Sequence, residues 1–149
     1  MPTTNMLALD LELFKLFGFW GGILVLKTIG VTLLTVNQRF KKRIFLNQDD
    51  CNLAGGGKVT NDPDIERVRR AHLNDLENIP LWFICTCLWL TTGPSTWLAG
   101  NLIKAFVLVR IGHTFVYAIY PKQPFRAIFF GVGLSITIYQ AVSTILYYS

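Results

Sequence analysis

Between Asp62 and Pro80 the chain concentrates side chains that can hold a small ligand. Glu66, Arg70, Asn74 and Glu77 recur at spacings of three and four, so a helix stacks them on one face, with Arg67 and Leu73 at its margins. Two acids, a guanidinium and an amide carried into a membrane need partners and point to a functional site; the alternative is a solvated helix start whose charges stay outside the bilayer. Together with the other arginines of the chain, Glu66, Glu77 and Asn74 suit a ligand that carries carboxylates and an ammonium. Guanidinium forks grip carboxylates through paired hydrogen bonds. A second set, Arg110, His113, Thr114 and Tyr117, falls on one face of a later helix. Arg110 lies over halfway along an apolar segment, where an unpaired charge is costly. Glu77 or Glu66 is the expected partner. His113 is either a general base or a hydrogen-bonded packing residue. Tyr117 either closes a site or anchors its helix near the membrane interface. Arg126, just after Pro124, opens the last apolar segment. It lies toward the same end as Arg39, Arg67, Arg70 and Arg110, an arrangement suited to a small polyanion. The sequence has no zinc-ligand spacing, so no metal is expected, and it has neither a phosphate-cradling Gly motif nor a nucleophile elbow.

These residues need helices to position them. No Gly or Pro lies between Asp64 and Ile79, so one helix covers this stretch. Asp62 or Asp64 can cap it, Pro63 fits its first turn, and Pro80 would kink it. Apolar segments run from about Leu11 to Val36, Ile65 to Leu90, Trp97 to Tyr120 and Phe125 to Tyr147. Each is long enough to cross roughly 30 Å of hydrocarbon. The first lacks a basic leader and a small-residue cleavage site, so it reads as an uncleaved anchor. Lys27 within it either faces the bundle interior or snorkels outward. The fold class is therefore all-α: one integral membrane domain over residues 1–149, an up-down four-helix bundle.

The loop from about Asn37 to Pro63 carries Arg39, Lys41, Lys42, Arg43 and the run Gly55-Gly56-Gly57, which suggests flexibility. The turn at Thr92 to Ser95 is uncharged, whereas the turn at Pro121 to Pro124 carries Lys122. The basic side belongs in the cytosol by the positive-inside rule, and this loop with it. Charged residues make up 15% of the 149 residues, against about a quarter in soluble domains. Mean hydropathy is +0.41. All nine acidic residues lie at or before Glu77. The net charge of +5 follows basic loops rather than a nucleic-acid footprint, so no nucleic-acid partner is expected. Cys85 and Cys87 fall on different faces of an apolar helix and suit neither a disulfide nor a metal. Cys51 lies in a polar loop, either reactive or merely tolerated.

The run from Glu66 to Asn78 resembles the signature of the membrane-associated proteins of eicosanoid and glutathione metabolism. The resemblance continues through Arg39 to Cys51, Arg110 to Tyr117 and Pro124 to Arg126, and covers nearly the whole chain from the first span onward. It implies a homotrimer of four-helix subunits in the endoplasmic reticulum membrane, with the outer mitochondrial membrane as a second location. It implies glutathione as co-substrate, bound between subunits near the cytosolic face. Arg39, Arg70, His72, Asn74, Glu77, Arg110, His113 and Tyr117 match positions at or near that pocket. Arg126 matches the position that holds the glutathione thiolate, with Tyr117 assisting by a hydrogen bond. Cys51 matches a loop cysteine associated with activation by thiol modification. The implied function is glutathione transfer to lipophilic electrophiles from the lipid bilayer, with peroxidase activity toward lipid hydroperoxides. Leu73 and Asn78 depart from the prostaglandin E synthases of the family, which carry Arg and Thr there. Two alternatives remain: a synthase-type, glutathione-dependent isomerase, and a non-enzymatic membrane scaffold that would not need the arginine set.

Overall fold

The computed structural model describes residues 11–149, so the amino-terminal segment lies outside the described residues. Four long helices dominate: α1 (Leu11–Lys42), α3 (Pro63–Leu90), α4 (Thr96–Thr114) and α5 (Phe125–Tyr148). Between α1 and α3 lie β1 (Ile44–Phe45), the short helix α2 (Gln48–Leu53) and β2 (Lys58–Val59). A π-helical turn, Phe115–Ile119, extends α4. Three helical stretches are long and apolar enough to cross a membrane: Leu11–Lys42, Thr96–Ile119 and Phe125–Tyr148. The remaining long helix, α3, begins with Asp64, Glu66, Arg67, Arg69 and Arg70 and becomes apolar only after Glu77.

Local chemistry sets the helix ends. Asp62 caps α3, accepting from the backbone N–H of Asp64 at 3.0 Å and of Ile65 at 3.1 Å. Pro63 stands in the first turn, where its missing N–H costs nothing. The helix continues through Pro80 to Leu90. Ser95 caps α4 through the N–H of Leu98.

The helices are not arranged as a simple up-down ring. Lys42 bonds to Asp62 and Lys27 to Asp75, so α1 and α3 run antiparallel. Thr86 bonds to Gln140 and Thr91 to Tyr148, so α3 and α5 run parallel. α1 neighbours α3 and α4, and α5 neighbours the same two. The sequential pair α3 and α4 therefore lies across a diagonal. Aromatic bulk explains the separation. Trp82 of α3 stacks flat on Phe106 of α4, centroids 4.4 Å apart, and both are fully buried. Two large rings between the helices keep their backbones apart while filling the centre. Phe17 of α1 meets the same Trp82 at 5.6 Å. In lipid, close packing of this kind holds helices together more than water exclusion does.

The loop between α1 and α3 is folded, not the flexible tether its glycines suggest. β1 and β2 pair in parallel, with Ile44 opposite Lys58 and Phe45 opposite Val59. The reversal needs positive φ at Gly55, Gly56 and Gly57. At Gly57 a Cβ would stand 2.7 Å from the Phe45 ring. Cys51 is 1% exposed, so it is a buried residue of α2 rather than an accessible loop thiol.

Candidate functional site

One polar row runs through the helices. It starts at Lys27 on α1, which donates to Asp75 Oδ2 on α3. Arg110 of α4 donates through Nη2 to Asp75 Oδ1 at 2.6 Å and to Asn74 Oδ1 at 2.9 Å. One turn on, His113 is buried, its ring 5.5 Å from that of Tyr117. The Arg126 guanidinium of α5 lies over the Tyr117 ring, 4.5 Å from its centroid. With its amide oxygen facing that guanidinium, Gln123 accepts from Arg126 Nε at 3.1 Å and Nη2 at 2.7 Å. Arg126 and Tyr117, predicted to act together, are thus in contact. Contact with an aromatic face suits a guanidinium, which is weakly hydrated.

The π-helical turn helps to aim Tyr117. The wider turn rotates the residues that follow Thr114 relative to a regular helix, and such turns recur at functional sites. Gly112 lets α5 come close: a Cβ there would stand 2.8 Å from the Phe129 ring.

The expected partner of Arg110 needs correction. Neither Glu66 nor Glu77 holds it; Asp75 does. The reason is helical phase. The buried stripe of α3 runs Ile65, Val68, Ala71, Asp75, Ile79, Trp82. Asp75 falls on this stripe at 0% exposure, whereas Glu77 turns outward. Asp75 lies off the charged face that Glu66 and Glu77 share, yet its place among apolar residues at three- and four-residue spacing is legible in the sequence. Glu66 engages other arginines, Arg69 at 2.9 Å and Arg39 at 4.0 Å. Lys27, undecided from sequence, faces inward.

The other predicted binding residues divide. Asn74 joins Arg110. His72 is half-buried, its Nδ1 3.5 Å from Thr32 Oγ1 on α1. Arg39 and Glu66 sit together at the end of α1 and start of α3. Arg70 and Glu77 are exposed and, among the described residues, form no hydrogen bond or ion pair. Close by, Lys42 clamps Asp62 and Asp64, each at 2.7 Å. Its hydrogen bonds hold both carboxyls below their ordinary range, and Asp62 first, then Asp64, pushes the Lys42 ammonium up.

Two features bear on ligand type. Among the described residues, Arg110 Nε, His113 Nδ1 and Thr114 Oγ1 are buried without partners. An apolar groove of about 480 Å³ between α1 and α3 is lined by Val25, Ile29, Leu76, Ile79 and Phe83 and reaches Asp75. No group of three His, Cys, Asp or Glu able to hold a metal occurs among the described residues.

An all-α protein with apolar helices of membrane-crossing length and a row of arginines, His and Tyr through its interior defines the class. Residues 17–146 match the MAPEG family, and the chain belongs to it. It is 36% identical over 138 residues to microsomal glutathione S-transferase 1 of Homo sapiens, covering 89% of each chain. It is 37% identical over 137 residues to the Bos taurus protein of that name, covering 87% of each. It is also 30% identical over 129 residues to prostaglandin E synthase of Bos taurus, covering 86% of this chain and 84% of that one.

Proposed function

We propose that this chain is a membrane glutathione transferase, joining the glutathione thiolate to lipophilic electrophiles. The observation that carries the reading is the Arg126 guanidinium over Tyr117, close to the buried His113 and Arg110. Similarity over most of the chain to proteins named microsomal glutathione S-transferase 1 supports it. The carboxylates of the tripeptide suit Arg39, Arg70 and Arg110, and its ammonium suits Glu77. Asn74, His72, His113 and Tyr117 supply further polar contacts.

Arg126 prepares the nucleophile. A free thiol of pKa about 8.5 is only a few per cent ionised at pH 7. A cation that lowers this by about two units brings the thiolate to roughly three-quarters. The thiol proton leaves to solvent. The thiolate then attacks carbon, a C–S bond forms, and the leaving group departs with the bonding electrons. The α1–α3 groove, apolar but ending at Asp75, suits an electrophile arriving from lipid. Reduction of lipid hydroperoxides is a second activity: the thiolate attacks the terminal peroxide oxygen, the O–O bond breaks to release the protonated alcohol, and a second glutathione thiol converts the resulting sulfenic acid to the disulfide and water.

The setting follows from the same reading: four membrane spans, with α3 as the fourth, in the endoplasmic reticulum membrane. The loop between α1 and α3 faces the cytosol. The arrangement is a homotrimer, supported by Arg70 and Glu77, which are exposed on one subunit and need cover in a membrane. The similarity to prostaglandin E synthase keeps a glutathione-dependent isomerase as the second reading.

The test is conjugation of 1-chloro-2,4-dinitrobenzene by purified protein in detergent. In this reaction the C–S bond forms as chloride leaves. Arg126→Ala is expected to bind glutathione normally and lose about 100-fold in kcat. Unchanged turnover in that variant would overturn the assignment of Arg126. Glutathione binding without conjugation by the wild type would favour the isomerase.

A further inference from the structure

Lys27 and Arg110 share a single carboxylate. Asp75 accepts from Lys27 through Oδ2 and from Arg110 Nη2 through Oδ1. The three side chains come from α1, α3 and α4 and are 10%, 0% and 1% exposed. Two cations against one anion leave a buried excess of positive charge. Neither remaining acid of α3 that could answer it does so. Glu66 is engaged by Arg69 and Arg39, and Glu77 faces outward. An interior charge of this kind is costly until an anion completes it.

The geometry at Asp75 has a second consequence. A carboxylate alone with a guanidinium normally takes two parallel N–H bonds, which closes the pair. Here Lys27 occupies one oxygen, and Arg110 reaches Asp75 through Nη2 only. Arg110 Nε is left buried and without a partner among the described residues, as are His113 Nδ1 and Thr114 Oγ1 one turn on.

We propose that Lys27 is a positioning residue for the glutathione site. It holds Asp75 so that Arg110 stays only half-paired, and it contributes the positive charge that an anionic group of the ligand balances. The inference rests on the transferase reading and adds to it a residue outside the arginine set.

The test uses Lys27→Met, Lys27→Gln and Lys27→Arg in full-length protein in detergent. Glutathione binding is measured by calorimetry and conjugation by steady-state kinetics. An anion on Arg110 lies on the order of 10 Å from the Lys27 ammonium; at an effective dielectric of about 20, that charge is worth about ten-fold in affinity. Lys27→Met is expected to raise the glutathione Kd and KM about ten-fold with kcat within about two-fold. Lys27→Gln keeps a donor to Asp75 and loses only charge; it should show the same rise and serves if Lys27→Met does not fold. Lys27→Arg should restore most of the affinity. A glutathione Kd within two-fold of wild type in Lys27→Met or Lys27→Gln overturns the proposal, even if thermal stability falls, because Lys27 would then be a helix lock alone. Wild-type protein that binds no glutathione overturns the transferase reading and this inference together.

Discussion

Removing the Asp75 carboxylate tests the charge cluster most directly. Asp75→Asn keeps the shape and removes the carboxylate that bridges Lys27 and Arg110. Those cations sit on the two oxygens of one carboxylate, so their nitrogens lie on the order of 5 Å apart. At an effective dielectric of about 20 their repulsion is about 3 kcal/mol. All three groups are nearly or fully buried, so solvent screens little of this. Removing one partner of a buried pair costs about 3–5 kcal/mol by comparison with measured cases. At about 3 °C per kcal/mol for a chain of this size, Tm should fall by on the order of 10 °C. The assay is thermal unfolding in detergent, followed by circular dichroism. Asp49→Asn is the control: that loop side chain is exposed and, among the described residues, forms no hydrogen bond or ion pair, so its Tm should stay within about 2 °C. Adding Lys27→Met to Asp75→Asn removes the repulsion and should recover about 3 kcal/mol. An Asp75→Asn protein as stable as wild type would refute the reasoning.

Two further expectations concern other contacts. Thr86 donates to Gln140 at 3.0 Å between α3 and α5, fully buried. Thr86→Val leaves the buried Gln140 Oε1 without its donor and should cost about 1–3 kcal/mol in unfolding experiments; adding Gln140→Leu should recover most of it, because the orphaned oxygen is removed as well. The clamp of Lys42 on Asp62 and Asp64 should depend on pH at both extremes. The carboxyls are held below their ordinary 3.8, so their contribution is present above that value and is lost as pH falls through the lowered ones. Lys42 is raised above 10.5, so its contribution is present below that value and is lost as pH rises past it. Hydrogen exchange at Lys58, which donates to the Arg43 carbonyl, should be flat between these limits once corrected for intrinsic rates.

The sequence alone determined the local facts. Helix α3 was legible from Asp62, Pro63 and an uninterrupted run, and its cap formed as expected, because capping depends on neighbours within one turn. Arg110, His113 and Tyr117 shared a face by period alone. Family membership was legible in the Glu66 to Asn78 run.

Only the tertiary structure decided which helices stand side by side and which charges meet. Trp82 and Phe106 filled the centre and set α3 and α4 across a diagonal, an outcome of side-chain volume that no hydrophobic period encodes. The partner of Arg110 turned on a phase difference of two residues between Asp75 and Glu77. A rotation of about 200° separates those positions, enough to put one carboxylate inside and the other outside. Lys27 could snorkel or turn inward by its own chemistry, and the carboxylate waiting on α3 decided between them. Periodicity belongs to one helix; pairing belongs to the space between helices, and only the folded chain defines that space.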